Sequence, residues 1–282
     1  MENIILGSAG WRSEYAGKLN ILSGEQINKF LSEISNFGIN HIDTAPSYGD
    51  AEEKIFKHSN SALVIDTKIN PFGTKKDFCN QLKKLSKQNV HTLYFHDPKI
   101  IQKSSVKQLQ DYFNEIKNTG FNMGFSLYDL ESFQTAYSIF SKNKEVIFQV
   151  PINLFDLKFL KFFAEGNIPY DRIVGRSIFS RGLIFLNNDE IHRCFAGKYE
   201  HVRSVFEEFY QKPFCKKSLH DLTFSLINFL QSKNIKTLFG VNNIEEIRQI
   251  LDNISKNAHC DLMWDDMIRK SETISKIEDL IL

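Results

Sequence analysis

Asp43, Tyr48, Lys68 and His96 are the residues of this sequence whose types and spacing best support a proton-transfer reaction. Each of them stands at or just after the end of a hydrophobic run of strand length. A lysine ammonium beside a phenol favours the phenolate, and a carboxylate can hold that lysine in place. We therefore expect a tyrosine whose pKa, ordinarily about 10, is tuned so that it can act as a general acid near neutral pH.

Eight hydrophobic runs recur along the chain and must position these side chains. Amphipathic segments separate most of the runs, and Ser23 and Ser105 each precede a glutamine by three residues, which is the pattern of a helix capping box. Gly38 and Gly120 stand where a helix must leave through the left-handed region before the next strand. This alternation predicts a parallel sheet that is buried on both faces. The predicted strands are 4–6, 39–44, 62–67, 92–95, 121–125, 146–150, 172–175 and 236–240.

Eight such units predict an α/β fold, a (β/α)8 TIM barrel that forms one domain over residues 1–282. The alternative is a doubly wound sheet, but the turn after the first strand, 6–11, lacks the third glycine of a dinucleotide-binding fingerprint. We expect inserted helices between the last two strands, at 189–194, 200–210 and 218–231. Residues 260–282 are predicted to form one C-terminal helix on the barrel wall.

Composition excludes several classes of protein. The 35 basic and 34 acidic residues leave a net charge of +1, so we expect no nucleic-acid partner. The four cysteines form no CxxC pair, which disfavours a disulfide framework and a cysteine zinc site. The most apolar stretch, 152–163, is interrupted by three charged residues, so we expect no membrane segment and a cytoplasmic location. No pattern marks an interface, and the oligomeric state stays open.

The sequence resembles the aldo-keto reductases. The family pattern of Asp, four residues and Tyr-Gly, then Thr-Lys at a strand end, then a strand-end His, is matched by Asp43, Tyr48, Lys68 and His96. Further segments along nearly the whole chain are similar to the family's other strand ends. These segments are 6–9, 124–126, 149–153, 177–183 and 240–243.

The resemblance implies a reductase that reduces a small-molecule carbonyl, in which Tyr48 protonates the oxygen, Lys68 and Asp43 tune Tyr48, and His96 orients the carbonyl. It implies NADP(H) more than NAD(H) as the cofactor, although the turn 240–246 lacks the usual basic residue for an adenosine 2′-phosphate. Gln149 and Ser126 would contact the nicotinamide. The full set of residues expected along the cofactor is Ser8, Ala9, Ser126, Gln149, Ser177, Ile178, Arg181, Gly240 and Asn242.

Two other functions remain open at this point. His41 and Asp43 are two apart on a strand and face the same side, so with His96 they could be the ligands of a metal-dependent barrel hydrolase. The hydrolase interpretation leaves Tyr48 unexplained, together with the segments 177–182 and 240–243, which resemble phosphate-binding loops. The reductase interpretation requires no metal. A non-catalytic cofactor-binding protein on the same fold is the third possibility, because fold and function separate. The substrate itself, a sugar-derived or aliphatic carbonyl, is not encoded in any motif.

Overall fold

The computed structural model describes residues 3–11, 22–71, 74–166, 168–186, 189–190, 200, 204, 207, 218–257 and 261–270. Its eight strands are hydrogen-bonded to one another in the order of the sequence, and the parallel sheet closes into a barrel. Helices follow the strands along the chain. The predicted (β/α)8 barrel is therefore confirmed.

The predicted strands lie within two residues of the observed ones. The strands are β1 Ile4–Gly7, β2 His41–Asp43, β3 Val64–Ile69, β4 Val90–Phe95, β5 Asn122–Ser126, β6 Val146–Pro151, β7 Ile173–Arg176 and β8 Lys236–Gly240. The helices are α1 Gly24–Ile34, α2 Ala51–His58, α3 Lys75–Leu85, α4 Lys99–Lys103, α5 Val106–Lys117, α6 Leu130–Phe140, α7 Lys158–Gly166, α8 Leu219–Ser232, α9 Ile244–Lys256 and α10 Asp261–Lys270.

Local signals in the sequence set these boundaries. Ser23 begins α1 and Ser105 begins α5 with complete capping boxes, in which each serine accepts a hydrogen bond from the backbone of the glutamine three residues later. Gly38, with φ of 70°, and Gly120, with φ of 85°, leave the helices through the left-handed conformation, as predicted. These turns connect the preceding helices to β2 and β5.

Aromatic side chains fill much of the core around the strands. Phe125 on β5 lies between Phe95 and Phe148 of the neighbouring strands, at centroid distances of 5.4 and 6.2 Å. Each fully buried phenylalanine contributes about 1.5–3 kcal/mol of hydrophobic stabilisation. Gly124 has no room for a side chain, because a Cβ there would lie 2.3 Å from the ring of Tyr94. The absence of a side chain at Gly124 lets the Tyr94 ring lie against β5.

The contacts divide the chain into two compact units. The first consists of 1–150, 172–174 and 240–244, and the second of 151–171, 175–239 and 245–282. In the second unit, Trp264 of α10 is fully buried and its Nε1 donates a 2.9 Å hydrogen bond to Ser225 of α8. Residues 261–270 confirm a C-terminal helix, whereas 271–282 lie outside the described residues.

The predicted helix at 218–231 is present as α8, with Ser218 as its amino-terminal cap. Most residues of the other two predicted insertions, 189–194 and 200–210, lie outside the described part of the chain. In the described part, no helix has both the length and the apolar composition of a membrane span.

Candidate active site

Three neighbouring strands carry the predicted proton-transfer residues at their carboxyl ends. Asp43 is the last residue of β2, Lys68 is the next-to-last residue of β3, and His96 directly follows β4. Tyr48 stands in the turn between β2 and α2. Because β2, β3 and β4 pair in parallel, their carboxyl ends lie at one end of the sheet. The structure therefore brings the four residues together as the sequence predicted.

The innermost contact of the site joins Lys68 and Asp43. Lys68 Nζ lies 2.5 Å from Asp43 Oδ1 and donates a second hydrogen bond, of 3.0 Å, to the carbonyl oxygen of Thr44. Both side chains are almost fully buried. Burial would lower the pKa of Lys68, but the Asp43 carboxylate and the Tyr48 side chain raise the pKa above its ordinary value. The Lys68 side chain is therefore protonated and positively charged at neutral pH.

Tyr48 lies directly over this ammonium. Lys68 Nζ is 5.0 Å from the centre of the Tyr48 ring, which is partly exposed. Burial raises the pKa of Tyr48 more than Lys68 lowers it, and Asp43 adds to the increase. The net direction is opposite to the shift toward neutrality that the sequence suggested. Tyr48 therefore carries its proton at neutral pH.

His96 is the neighbour of Tyr48 at this end of the sheet. The two ring centroids are 6.2 Å apart and the rings are nearly perpendicular, at 88°. The His96 backbone N–H donates a 3.1 Å hydrogen bond to the carbonyl of Ile69, which holds the residue at the end of β4. A phenol and an imidazole are thus placed side by side at the carboxyl ends of the strands.

Gln149 and Ser126, the residues predicted near the nicotinamide, belong to the same network. Gln149 Nε2 donates a 3.0 Å hydrogen bond to Asp43 Oδ2, and Ser126 Oγ donates a 3.3 Å hydrogen bond to Gln149 Oε1. All three side chains are nearly inaccessible to solvent. A glutamine amide has two N–H donors and two acceptor lone pairs, so these two contacts use half of its hydrogen-bonding capacity.

The turn after β1 lies against the end of β2. The backbone N–H of Ser8 donates to the carbonyl of Asp43 at 2.9 Å, and its hydroxyl donates to the hydroxyl of Thr44 at 2.8 Å. Ala9 begins a short 3₁₀ turn, Ala9–Trp11, and is partly exposed. Ser8 thus supports the backbone that carries Asp43.

Gly240 and Asn242 lie in the turn that follows β8. The indole Nε1 of Trp11 donates a 2.7 Å hydrogen bond to the carbonyl of Val241, which ties this turn to the one after β1. A Cβ at Gly240 would approach only the carbonyl oxygen of Gly7, at 3.7 Å, so the fold itself does not require glycine there. Asn242 is partly exposed beside it.

The segment after β7 carries the remaining predicted cofactor residues, and it belongs to the second unit. Ser177 and Ser180 have φ angles of 59° and 47°, a left-handed conformation that non-glycine residues rarely adopt. Such residues cost about 1–3 kcal/mol each and occur mostly in functional loops. Ile178 is fully buried, so only its backbone is available to a ligand. Arg181 lies in the 3₁₀ segment Ser180–Phe185, and its side chain is outside the described part of the structure.

Glu52 is a member of the site to which sequence reasoning gave no role. It lies in the first turn of α2 and accepts a hydrogen bond from the hydroxyl of Thr67, the residue before Lys68. Burial raises the pKa of Glu52, although Thr67 and Lys68 oppose that increase. The sequence feature that could have indicated Glu52 is the presence of an acidic residue four positions after Tyr48. Glu52 holds α2 against β3 next to the proton-transfer residues.

The ligand set considered for a hydrolase does not come together in the described residues. Asp43 is held by Lys68 and Gln149, whereas His41, at the other end of β2, lies beside Asp66. The described part of the chain contains one grouping of potential metal ligands, and it unites His41 with Asp66 and His91 rather than with Asp43 or His96.

The structure is a closed (β/α)8 barrel with a buried lysine–carboxylate pair beneath a tyrosine at its strand ends. The chain belongs to the aldo/keto reductase family, whose family model matches residues 3–261, and it is therefore an oxidoreductase by family. No protein with a curated description matches the sequence.

Solved structures share the fold at low identity. The apo crystal structure of Gox0644 aligns with a TM-score of 0.58 at 15% identity, over 92% of this chain and 89% of that one. An aldo/keto reductase from Brucella melitensis aligns with a TM-score of 0.53 at 16% identity, over 95% and 94%. An aspartate-to-alanine mutant of Gox0644 in complex with NADPH aligns with a TM-score of 0.54 at 16% identity, over 95% and 88%.

Proposed function

We propose that the protein is an NAD(P)H-dependent reductase that converts an aldehyde or ketone to an alcohol, with Tyr48 as the proton donor. The single observation that carries this proposal is the contact of Lys68 with Asp43 directly beneath the Tyr48 ring. A permanent ammonium beside a protonated phenol is the arrangement required to donate a proton to an oxygen that is gaining negative charge.

The residues present fit a nicotinamide cofactor. Gln149 and Ser126 offer an amide and a hydroxyl next to Asp43, and the strained turn at Ser177 and Ser180 is typical of loops that bind a ligand. In barrels of this kind, phosphates are frequently bound by the loops after the seventh and eighth strands. We assign Ser8, Ala9, Ile178, Arg181, Gly240 and Asn242 to the remainder of the cofactor on the strength of the family.

The proton chemistry follows from the geometry. When bound, the reduced nicotinamide supplies a hydride to the carbonyl carbon. The carbonyl oxygen then develops alkoxide character and becomes a stronger base than the Tyr48 phenolate, so the proton moves from the Tyr48 hydroxyl to that oxygen. Lys68 stabilises the phenolate that remains, and Asp43 fixes Lys68. His96 orients the substrate by a hydrogen bond to the same oxygen.

The finer features of the proposal rest on the family and on composition. NADP(H) is the preferred cofactor, in keeping with the NADPH complex of the structurally similar Gox0644 mutant. The substrate is a small carbonyl compound, and the reaction takes place in the cytoplasm within a single barrel domain of residues 1–282. We propose no nucleic-acid or membrane partner.

Fluorescence titration with NADPH, and with NADH in parallel, tests the cofactor, and single-turnover oxidation of the bound cofactor by a generic aldehyde tests the reaction. We expect binding at sub-millimolar concentration and turnover that survives treatment with a chelator. Absence of binding by either nucleotide would overturn the proposal. Binding without turnover would favour a non-catalytic cofactor-binding protein, and chelator-sensitive hydrolysis would favour the hydrolase.

A further inference from the structure

Three potential metal ligands meet at the end of the strands away from Tyr48. His41 is the first residue of β2, Asp66 is the third residue of β3, and His91 is the second residue of β4. Each contributes one ligand atom, and these atoms all lie within 4.8 Å of one another. None of the three has a role in the proposed reduction.

The buried histidine of this group lacks a proper hydrogen bond. His41 Nε2 lies 2.9 Å from Asp66 Oδ2, an ion-pair distance, but it has no well-formed hydrogen-bond partner among the described residues. Its side chain is only 7% exposed. A buried polar atom that does not form a hydrogen bond is costly. A metal ion bound by both the nitrogen and the carboxylate would remove that cost.

The second histidine completes the same arrangement. His91 Nδ1 lies 3.5 Å from Asp66 Oδ1, so each carboxylate oxygen has one imidazole nitrogen beside it. Ligand atoms that surround a tetrahedral Zn²⁺ at the usual bond lengths are about 3.3 Å apart. The two observed separations, 2.9 and 3.5 Å, are to different oxygens of Asp66, so one of them would change when a single oxygen binds the ion; one ligand atom from each residue lies within 4.8 Å of the others.

We propose that His41, Asp66 and His91 form a binding site for one divalent transition-metal ion, and that Zn²⁺ is the expected ion. Two imidazoles and a carboxylate are ligands that Zn²⁺ accepts readily. Three protein ligands leave a fourth position for water, and the His91 side chain, which is 46% exposed, opens the site to solvent. The ion would crosslink the three adjacent strands β2, β3 and β4.

The surrounding groups can support the ligands. The backbone N–H of Thr92 donates a 3.1 Å hydrogen bond to Asp66 Oδ1 and orients the carboxylate. His91 Nε2 lies 3.3 Å from the side-chain amide of Asn122, which can present its oxygen to an Nε2–H by turning over. The 2.9 Å contact between His91 Nδ1 and the Thr92 hydroxyl must open when the nitrogen binds the ion.

The consequence for the protein is stability rather than chemistry. Asp43 and Lys68 follow His41 and Asp66 by two residues on the same strands, so an ion at this site would fix the strands that carry the proton-transfer pair. A ligand that binds only the folded state stabilises it by mass action. We therefore expect Zn²⁺ to raise the melting temperature of the protein without being needed for turnover.

The experiment uses the untagged full chain after treatment with a chelator, with the excess removed. Calorimetric titration with Zn²⁺ and the visible absorption of Co²⁺ are measured for the parent protein, for His91→Ala and for His58→Ala. We expect one tight site per chain with the absorption of tetrahedral Co²⁺, lost by about 100-fold or more in affinity in His91→Ala and unchanged in His58→Ala. His58 is a partly exposed histidine on α2 and serves as the matched control.

No tight site in the parent, or an equal affinity in His91→Ala, would overturn the proposal, as would a loss caused equally by His58→Ala. His91→Gln repeats the test if circular dichroism shows that the alanine variant is not folded. Melting temperatures with and without Zn²⁺ give a readout that does not depend on activity, so a failure here is separate from a failure of the proposed reductase.

Discussion

Gln149 and Lys68 hold opposite oxygens of one buried carboxylate. Gln149 Nε2 donates a 3.0 Å hydrogen bond to Asp43 Oδ2, while Lys68 Nζ lies 2.5 Å from Asp43 Oδ1. A residue that the family associates with the nicotinamide is thus bonded directly to the carboxylate that holds Lys68 beneath Tyr48. Events at the cofactor and at the proton donor are therefore expected to be coupled.

The first prediction follows from this contact. Gln149→Leu leaves one oxygen of Asp43 without its partner and removes the amide from the cofactor site, so it should cost about 1–3 kcal/mol of stability and weaken NADPH binding. Chemical denaturation and fluorescence titration measure the two effects. Gln231→Leu is the control, since Gln231 Nε2 is buried without a hydrogen bond in the second unit. Equal cofactor affinity in parent and Gln149→Leu would contradict the assignment of Gln149.

The second prediction concerns the proton donor. Tyr48→Phe keeps the ring over Lys68 and removes only the hydroxyl, so folding and cofactor affinity should be preserved. The rate of reduction should fall by about 10²–10⁴, the usual contribution of a general acid. The loss should appear in kcat rather than in the Kd of NADPH. Turnover close to that of the parent would show that another group, His96 first, carries the proton.

The third prediction separates the charge of Lys68 from its packing. Lys68→Met retains a long side chain but leaves the buried Asp43 carboxylate without its cation, which should cost about 3–5 kcal/mol of stability. Activity should fall as far as in Tyr48→Phe, and the two losses should not add in the double variant because both disable one unit.

Asp43→Asn combined with Lys68→Met provides the control for that experiment. The neutral pair should recover much of the free energy of unfolding lost in Lys68→Met, while activity should stay low. Equal stability of Lys68→Met and the parent would mean that the ion pair is not the structural element proposed.

The fourth prediction is the pH dependence of the chemical step. Burial raises the pKa of Tyr48 above its ordinary value of 10.0, and that of Lys68 is also raised. Reduction needs the protonated phenol, so its single-turnover rate should stay level from pH 6 to pH 9. Oxidation of the alcohol needs the phenolate and should become faster with pH over the same range. A fall in the reduction rate centred near pH 7 would show that bound ligands lower the pKa of Tyr48.

The sequence predicted the fold because its local signals agree with one another. The capping boxes at Ser23 and Ser105, the left-handed glycines at 38 and 120 and the eight apolar runs all specify the same β/α units. It also predicted that Asp43, Lys68 and His96 meet, since parallel strand ends lie at one end of a barrel.

The direction of the Tyr48 pKa shift did not follow from the sequence. It depends on how far the ring is removed from water relative to its distance from Lys68, and both quantities are properties of tertiary packing. The hydrogen bond between Gln149 and Asp43 could not be predicted either, because 106 positions separate the two residues in the sequence. Glu52 carries no distinguishing sequence signal, since a carboxylate in the first turn of a helix is common without any function.

The last prediction concerns the choice between NADPH and NADH. The helix that follows the β8 turn, α9, has Glu245 and Glu246 in its first turn, and the guanidinium of Arg248 is paired with Glu245. If the proposed cofactor places its 2′-phosphate after β8, two carboxylates at this end of the helix would oppose it, and Arg248 is already paired with Glu245. We therefore expect discrimination against NADH of less than about a hundredfold, or about 2.7 kcal/mol.

Glu245→Gln should release Arg248 and tighten the binding of NADPH selectively, with the gain in affinity reduced by salt. Asp252→Asn, an exposed neutralisation further along the same helix, should change neither affinity. Parallel fluorescence titrations of the parent and both variants measure this. A preference for NADPH far above a hundredfold in the parent, unaltered in Glu245→Gln, would mean that a basic residue elsewhere recognises the phosphate.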